Sequence, residues 1–146
     1  FASWDPWLEP DPDRFEWDFA EKVIPALAGS RPVFLVDFPE LAASLARLKV
    51  DEAGTAERFE LYVGGLELAN GFSELTDPVE QRRRFERANR RRASLGKGPI
   101  EMPRPFLDRL SRMPPSAGVA LGMDRLSMLF TNSSHIEEVV AFGPDE

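Results

Sequence analysis

Cysteine is absent from the 146-residue sequence, and histidine occurs only once, at His135. A disulfide framework, a cysteine nucleophile and a zinc site built from cysteine and histidine are therefore not expected. No nucleophile accompanies His135 in a recognisable triad pattern, so we expect this histidine to be a surface or helix-capping residue.

Long apolar runs are also missing. The first residues carry neither a basic stretch nor an apolar segment of the length that a signal sequence or a membrane span needs. We therefore expect a cytoplasmic protein with no membrane partner. A chain of this length can bury a core of its own, so we expect one domain over residues 1–146, with 1–30 as a variable helical lead-in.

The formal net charge is −7, yet the basic residues crowd into one short segment. They are Arg82, Arg83, Arg84, Arg87, Arg90, Arg91, Arg92 and Lys97. A charge run of this kind is typical of a solvated helix face. It could also guide an anionic acceptor, although Phe85 is the only aromatic residue among these arginines to offer a stacking surface.

The hydrophobic pattern predicts an antiparallel sheet with helices gathered beside it, an α+β fold. Alternating apolar residues on either side of Gly64 and Gly65 predict a hairpin over residues 57–75. Further strands are predicted over 32–39 and 117–121. Helices are predicted from about residue 13 to residue 29, over 40–48, from 78 to 95 with an Asp77-Glu80 capping box, over 104–113, from about 124 to 130, and around 134–139 with Ser133 as the cap.

Two glutamates of the hairpin are candidates for a metal site. Ideal pairing across the turn places Glu60 opposite Ala69 and diagonal to Glu67, with Cβ atoms about 7 Å apart. Carboxylates at that separation can share Mg²⁺, which leaves other positions to water and phosphates. The alternative is a pair of glutamates on a solvent-facing surface of the sheet.

The stretch "LELANGFSEL" places Glu67, Asn70, Phe72 and Glu74 in one extended segment. Two carboxylates, an amide and an aromatic ring can together hold a cationic ligand. On an ideal strand Asn70 faces away from Glu67, so we expect a bulge or turn at Gly71.

The stretch "SAGVALGMDRLSMLF" has small residues at alternate positions, Gly118, Ala120 and Gly122. One face of a strand there is almost bare backbone, which leaves room for a planar base. Arg125 follows at the start of a helix, where a guanidinium can stack on a purine and reach phosphate oxygens. Tight packing of a helix on the sheet explains the small residues equally well.

Both signatures, "FELYVGGLELANGFSELTD" and "PPSAGVALGMDRLSMLFTNSSHIEEVVAF", resemble the C-terminal half of a class II aminoacyl-tRNA synthetase core of the lysine type. The second resembles motif 3 of that class. The resemblance covers most of the chain from about residue 31 onward. It implies a partial class II core, with the hairpin and the motif 3 region in residues 31–146.

Two branches of this family are similar to the chain, lysyl-tRNA synthetase and its shorter paralogue, the elongation factor P lysine ligase. "GVALGMDR" favours the paralogue, in which an alanine like Ala120 narrows the amino-acid pocket and accompanies a preference for β-lysine over α-lysine. Phe72-Ser73-Glu74 is instead the synthetase form. We favour the paralogue, and the choice between the two lysines stays open.

The resemblance implies ATP and Mg²⁺ as cofactors, with Glu60 and Glu67 as the metal-holding acids. It implies a lysine pocket made by Asn70, Phe72 and Glu74, with Glu74 meeting the side-chain ammonium. The family reaction is attack of the substrate carboxylate on the α-phosphate of ATP, which gives an aminoacyl adenylate and pyrophosphate.

The motif 3 arginine of the family matches Arg125, the one candidate catalytic residue, which is expected over adenine and near the terminal phosphate. Gly118, Ala120 and Gly122 are expected to line the floor of the site. The implied acceptor is elongation factor P or a tRNA, and the implied assembly of the full-length protein is a homodimer.

Residues 1–31 contain no segment that resembles motif 1 or motif 2 of the class. We therefore expect a fragment or a truncated relative that is a poor catalyst alone, because motif 2 supplies the arginine for the α-phosphate. A non-catalytic module that binds a nucleotide or docks a protein is the alternative function.

Overall fold

The computed structural model describes residues 11–29 and 31–143. The expectations for the first ten residues of the lead-in lie outside this range. Four strands form one antiparallel sheet in the order β1-β2-β3-β4. They are β1 (Val33–Pro39), β2 (Thr55–Val63), β3 (Leu66–Ser73) and β4 (Ala117–Leu121). The predicted α+β class, an antiparallel sheet flanked by helices, is confirmed.

The β2–β3 hairpin forms around the predicted glycine turn. Gly64 and Gly65 have φ values of 60° and 81°, in the region that favours glycine. Tyr62 pairs with Glu67 as expected, but Leu61 then pairs with Ala69, so Leu68 is an extra residue in β3. The predicted pairing of Glu60 with Ala69 is therefore wrong.

The first helical segment is interrupted before its proline. Helix α1 (Pro12–Asp18) begins at an Asp11 cap and runs into a π-helical turn (Phe19–Val23) and a short helix α2 (Ile24–Ala26). Pro25 has no N–H to continue a regular ladder, which fits the wider turn that precedes it. The predicted helix of residues 13–29 exists, with this irregularity at its centre.

The helix predicted over residues 40–48 is wrong. Only a single 3₁₀ turn forms, Glu40–Ala42, and Ser44 then adopts a positive φ of 52° that ends it. The chain continues in an extended conformation, with isolated bridges from Ala46 to Glu74 and from Leu48 to Ala56. Leu48 packs against the core cluster of the sheet.

Helix α3 (Pro78–Ser94) starts at the predicted Asp77 cap, whose carboxylate accepts from the N–H groups of Val79 and Glu80, but the predicted capping box with Glu80 does not form. The Glu80 carboxylate accepts from Arg83 and Arg84. The arginine cluster is only partly a solvated face.

Arg84 is 8% exposed and donates to the carbonyls of Ser44 and Ala46. Arg91 pairs with Asp13 and Glu16 of α1. These arginines therefore fasten α3 to the segment after β1 and to α1.

The remaining helices are α4 (Arg104–Leu110) and α5 (Met123–Thr131). The helix predicted around residues 134–139 is only a 3₁₀ turn, Ile136–Glu138, capped by His135 and not by Ser133. The expectation of a capping role for His135 is confirmed. Within the described ranges, no helix is long and apolar enough to cross a membrane.

A small core lies on one face of the sheet, where Phe38, Ala43, Ala46 and Ala56 are buried together. The aromatic rings of α1 and its π turn pack against this cluster, with the Phe19 ring 5.9 Å from Phe38 and 6.4 Å from Tyr62. The predicted aromatic stripe is thus part of the core. This packing leaves the neighbouring part of the same face for polar side chains.

Candidate active site

One face of the sheet carries almost all of the predicted site residues, and we call it the carboxylate face. Glu60, Asn70 and Ala120 pair directly across β2, β3 and β4. Phe72 and Gly118 form the next row. Directly paired residues project to the same side of a sheet.

The bulge at Leu68 brings Glu67 and Asn70 to this same side. Tyr62 lies two residues after Glu60 and therefore shares its face, and Tyr62 pairs with Glu67. A bulge between Glu67 and Asn70 is thus present, as the predicted convergence requires. It lies at Leu68 and not at Gly71.

Glu60 is the most enclosed acid of the face, with 5% of its surface exposed. Its Oε1 atom accepts from Arg58 Nη2 and, at 3.1 Å, from Asn70 Nδ2, while Oε2 accepts from the Tyr62 hydroxyl at 2.8 Å. Three donors therefore compensate the burial of this carboxylate, as a buried charge requires.

The Tyr62 hydroxyl is held in its protonated form. Burial raises the pKa of Tyr62 well above its ordinary value, and the hydrogen bond to Glu60 raises it further. A protonated phenol donates to Glu60 across the whole neutral range. The ring itself is 2% exposed, so it anchors this network to the core.

Glu67 is more open than Glu60 and lies beside Arg125. The Arg125 Nη1 atom donates to the backbone carbonyl of Glu67 at 2.8 Å and lies 3.6 Å from its Oε2. The Gly122 N–H donates to the Leu68 carbonyl at 2.8 Å. The start of α5 is thereby joined to the bulge of β3, and Arg125 lies beside the exposed acid Glu67, whereas Glu60 on the same face is buried.

Glu74 lies next to Gly118. A Cβ atom on Gly118 would stand 3.1 Å from Glu74 Oε1. Glycine at this position therefore leaves room for the carboxylate over β4. Ala120 carries the one methyl group among the three small residues, directly across from Asn70.

Two residues of the network were missed by the sequence analysis, Arg58 and Tyr62. The sequence could have indicated both, because residues 58, 60 and 62 lie at alternate positions of one strand and therefore share a face. The guanidinium of Arg58 also donates to the Ala42 carbonyl and lies 4.6 Å from the centre of the Phe38 ring.

The oxygen atoms of the site meet the needs of Mg²⁺ only in part. Among the described residues, no group of three or more histidine, cysteine, aspartate or glutamate side chains could enclose a metal ion. Glu67 fits as a hard-oxygen ligand because its side chain is 36% exposed. Glu60 fits only through a remaining lone pair of Oε2, or after one of its donors moves. The remaining ligands would have to come from phosphate oxygens and water.

The chain matches the family model of tRNA synthetases class II (D, K and N) over residues 14–146. It is 48% identical over 128 residues to the elongation factor P--(R)-beta-lysine ligase of Edwardsiella ictaluri, covering 87% of this chain and 39% of that protein. It is 46% identical over 136 residues to the ligase of the same name from Hamiltonella defensa, covering 92% of this chain and 42% of that protein.

The chain thus spans about two fifths of the length of these curated relatives. The resemblance expected from "LELANGFSEL" and "GVALGMDR" is confirmed, for the class and for its lysine ligase branch. Because the family match includes the hairpin, β4 and α5, it contains every element of the carboxylate face. The chain belongs to the class II tRNA synthetase family.

Proposed function

We propose that the chain is the C-terminal portion of the catalytic core of a lysine-activating, ATP-dependent ligase of the elongation factor P type. The observation that carries this proposal is the convergence of Glu67, Asn70, Gly118, Ala120 and Arg125 on one face and its rim. These residues offer a cation, a carboxylate, an amide and an almost bare strand surface, which together suit a nucleotide and an amino acid.

The nucleotide half of the proposed site lies around Glu67 and Arg125. The Arg125 guanidinium is half exposed and fixed by the Glu67 carbonyl, so one of its planes is free for a purine. Gly118 and Gly122 would form the floor. Mg²⁺, held by Glu67 with the nucleotide phosphates and water, would neutralise charge on the transferred group.

The amino-acid half of the proposed site lies between Asn70 and Glu74. Glu74 offers a carboxylate to an ammonium group, and Phe72 offers an apolar wall for a methylene chain. The methyl group of Ala120 fills space opposite Asn70. A narrower pocket at this position supports β-lysine as the substrate.

The proposed reaction joins a carboxylate oxygen of the lysine to the α-phosphorus of ATP and breaks the bond to the bridging oxygen. The products are an aminoacyl adenylate and pyrophosphate, and no oxidant or reductant is consumed. The residues of this chain would contribute by orienting both substrates and by placing Arg125 near the phosphates. The acceptor would be elongation factor P, and the full-length protein would be a homodimer.

Pyrophosphate exchange tests the proposal, with the complete gene product that carries this chain, ATP and three amino acids. We expect exchange with β-lysine, weaker exchange with α-lysine and none with leucine. The Ala120→Gly variant should shift the preference toward α-lysine, because it removes the methyl group from the pocket. Equal exchange with all three amino acids would contradict the proposal, and nucleotide binding without exchange would support a non-catalytic module.

A further inference from the structure

The hydrogen bonds around Glu60 determine which way the Asn70 amide points. The Nδ2 group of Asn70 donates to Glu60 Oε1 at 3.1 Å. Its Oδ1 atom is buried and has no hydrogen-bond partner in the part of the chain that the structure describes. A buried acceptor without a donor is costly, so Oδ1 is suited to a donor supplied by a ligand.

The orientation of Asn70 depends on the position of the Glu60 carboxylate, whose Oε1 atom faces the amide. An ionised carboxylate accepts hydrogen bonds only, so the amide must turn its nitrogen toward it. A carboxylate displaced from this position would leave the amide free to reverse. The groups that hold Glu60 in place therefore control the atom that Asn70 presents.

Arg58 is one of these groups, and it is itself tightly held. Its side chain is 16% exposed, and Nη2 pairs with Glu60 while Nη1 donates to the Ala42 carbonyl. The guanidinium plane also lies over the Phe38 ring. A cation fixed on three sides holds its partner carboxylate in one position.

Tyr62 is the second such group. Its hydroxyl donates to Glu60 Oε2 at 2.8 Å, on the oxygen that Arg58 leaves free. The two donors thus restrain both oxygens of the carboxylate. Rotation of Glu60 away from Asn70 would break at least one of these bonds.

We propose that Arg58 and Tyr62 are positioning residues that act through Glu60 to make Asn70 an acceptor for an N–H group of the amino-acid substrate. This inference rests on the proposed function for the identity of the substrate. It assigns to Arg58 a role in amino-acid recognition without contact with either substrate. The predicted consequence of removing Arg58 is a selective loss of affinity for the lysine substrate.

Kinetics of the complete gene product test this role with Arg58→Met, which keeps much of the side-chain length and removes the charge. We expect the KM for lysine to rise by about tenfold or more, because the lost bonds are charge-assisted. The KM for ATP should stay within about twofold. Arg58→Lys, which keeps one charged donor, should restore part of the loss.

Arg47→Met is the matched control, because Arg47 also pairs with an acid of β2, Glu57, away from the site. We expect both KM values of this variant to remain at the wild-type level. An equal rise of the two KM values in Arg58→Met, or no rise in either, would overturn the proposal. A rise in the KM for lysine in Arg58→Met that is smaller in Arg58→Lys would support it.

Nuclear magnetic resonance of the 146-residue chain gives a test that does not need activity. The sequence has three asparagines, Asn70, Asn89 and Asn132, so ¹⁵N-asparagine labelling gives three side-chain amide pairs. Asn89 is an internal control because its amide bonds Ile100 through both its nitrogen and its oxygen.

We expect Arg58→Met and Tyr62→Phe each to change the chemical shifts of the Asn70 side-chain amide and to speed its hydrogen exchange, while the Asn89 signals stay unchanged. Asn70 signals with the same chemical shifts and exchange rates in wild type and both variants would overturn the positioning role. Because this readout is independent of catalysis, it separates that failure from a failure of the proposed function, which would appear as absent pyrophosphate exchange in the wild type.

Discussion

The guanidinium of Arg125 and the backbone carbonyl of Glu67 are joined by a hydrogen bond of 2.8 Å across 58 residues of sequence. Because the acceptor is main chain, this hydrogen bond does not depend on the Glu67 carboxylate, whose Oε2 atom lies 3.6 Å from the same nitrogen. The bond ties the first turn of α5 to the bulged strand β3. The Glu67 carboxylate is 36% exposed and can therefore also bind a ligand on the same face.

Replacement of Glu67 by glutamine should separate that role from folding. In the complete gene product we expect Glu67→Gln to raise the KM for Mg²⁺-ATP by about tenfold or more, since it removes a charged ligand. The stability should change by less than about 1 kcal/mol, because the backbone bond to Arg125 remains. Pyrophosphate exchange at varied ATP and Mg²⁺ measures the first effect, and thermal unfolding measures the second.

Glu101→Gln is the control for this change, because Glu101 is an exposed acid that lies outside the carboxylate face. An unchanged KM for ATP in Glu67→Gln would remove Glu67 from the proposed metal site. A loss of the folded state would show that the Glu67 carboxylate is itself needed for the fold.

Gly118 should be required for the position of Glu74. A Cβ at Gly118 would lie 3.1 Å from Glu74 Oε1, closer than carbon and oxygen ordinarily approach, so Gly118→Ala should displace the carboxylate by a few tenths of an ångström. We expect the KM for lysine to rise several-fold, which corresponds to a loss of about 1 kcal/mol of binding free energy. The KM for ATP should change little. Gly98→Ala is the control, because a Cβ there meets nothing within 4 Å. A selective rise in the KM for ATP would instead assign Gly118 to the nucleotide half.

The sequence was sufficient to predict the elements of the site but not their register. Strict alternation from the Gly64–Gly65 turn places Glu60 opposite Ala69, whereas the extra residue at Leu68 places it opposite Asn70. Nothing in the stretch "LELAN" marks Leu68 as the bulge. Its backbone is fixed by a distant partner, the Gly122 N–H, which donates to the Leu68 carbonyl. A contact of this range cannot be inferred from local pattern alone.

The conformation of the segment after β1 also depends on contacts that are distant in sequence. Leu41, Leu45 and Leu48 have helical spacing, yet the segment is held in an extended form by the carbonyl contacts of Arg84 from α3. Tertiary contacts outweigh a weak helix propensity over so short a stretch. The hairpin, the Asp77 cap and the strand of small residues are set by local chemistry, and these were predicted correctly.

Glu57 should contribute to stability in a pH-dependent way. The hydrogen bond from Arg47 lowers the pKa of Glu57 below its ordinary value of 4.5, and Ser73 lowers it further. The folded state thus favours the ionised form, so the contribution is present above about pH 4.5 and is lost as the pH falls through the folded-state pKa. We expect Glu57→Gln to unfold more easily at neutral pH and to lose less stability than wild type on acidification. Urea unfolding between neutral and acidic pH measures this difference. An identical dependence of the free energy of unfolding on pH in the two proteins would contradict it.

The docking of α1 on the rest of the molecule should depend on salt. Arg91 of α3 pairs with Asp13 and with Glu16, whose carboxylates are 67% and 68% exposed. Exposed ion pairs contribute only about 0.2–1 kcal/mol each and are screened by salt. We expect Arg91→Met to speed hydrogen exchange in residues 12–26 at low ionic strength, and the difference from wild type to shrink at about 1 M salt.

Arg90→Met is the matched control for this change, because Arg90 is the neighbouring exposed arginine of α3. It should leave the exchange of residues 12–26 unchanged. The rings of Phe15 and Phe19 pack on the core, so α1 should keep part of its protection in Arg91→Met. Complete loss of protection would show that the ion pairs, and not the aromatic contacts, hold α1 in place. Equal protection of both variants at low salt would show that the Arg91 pairs contribute nothing.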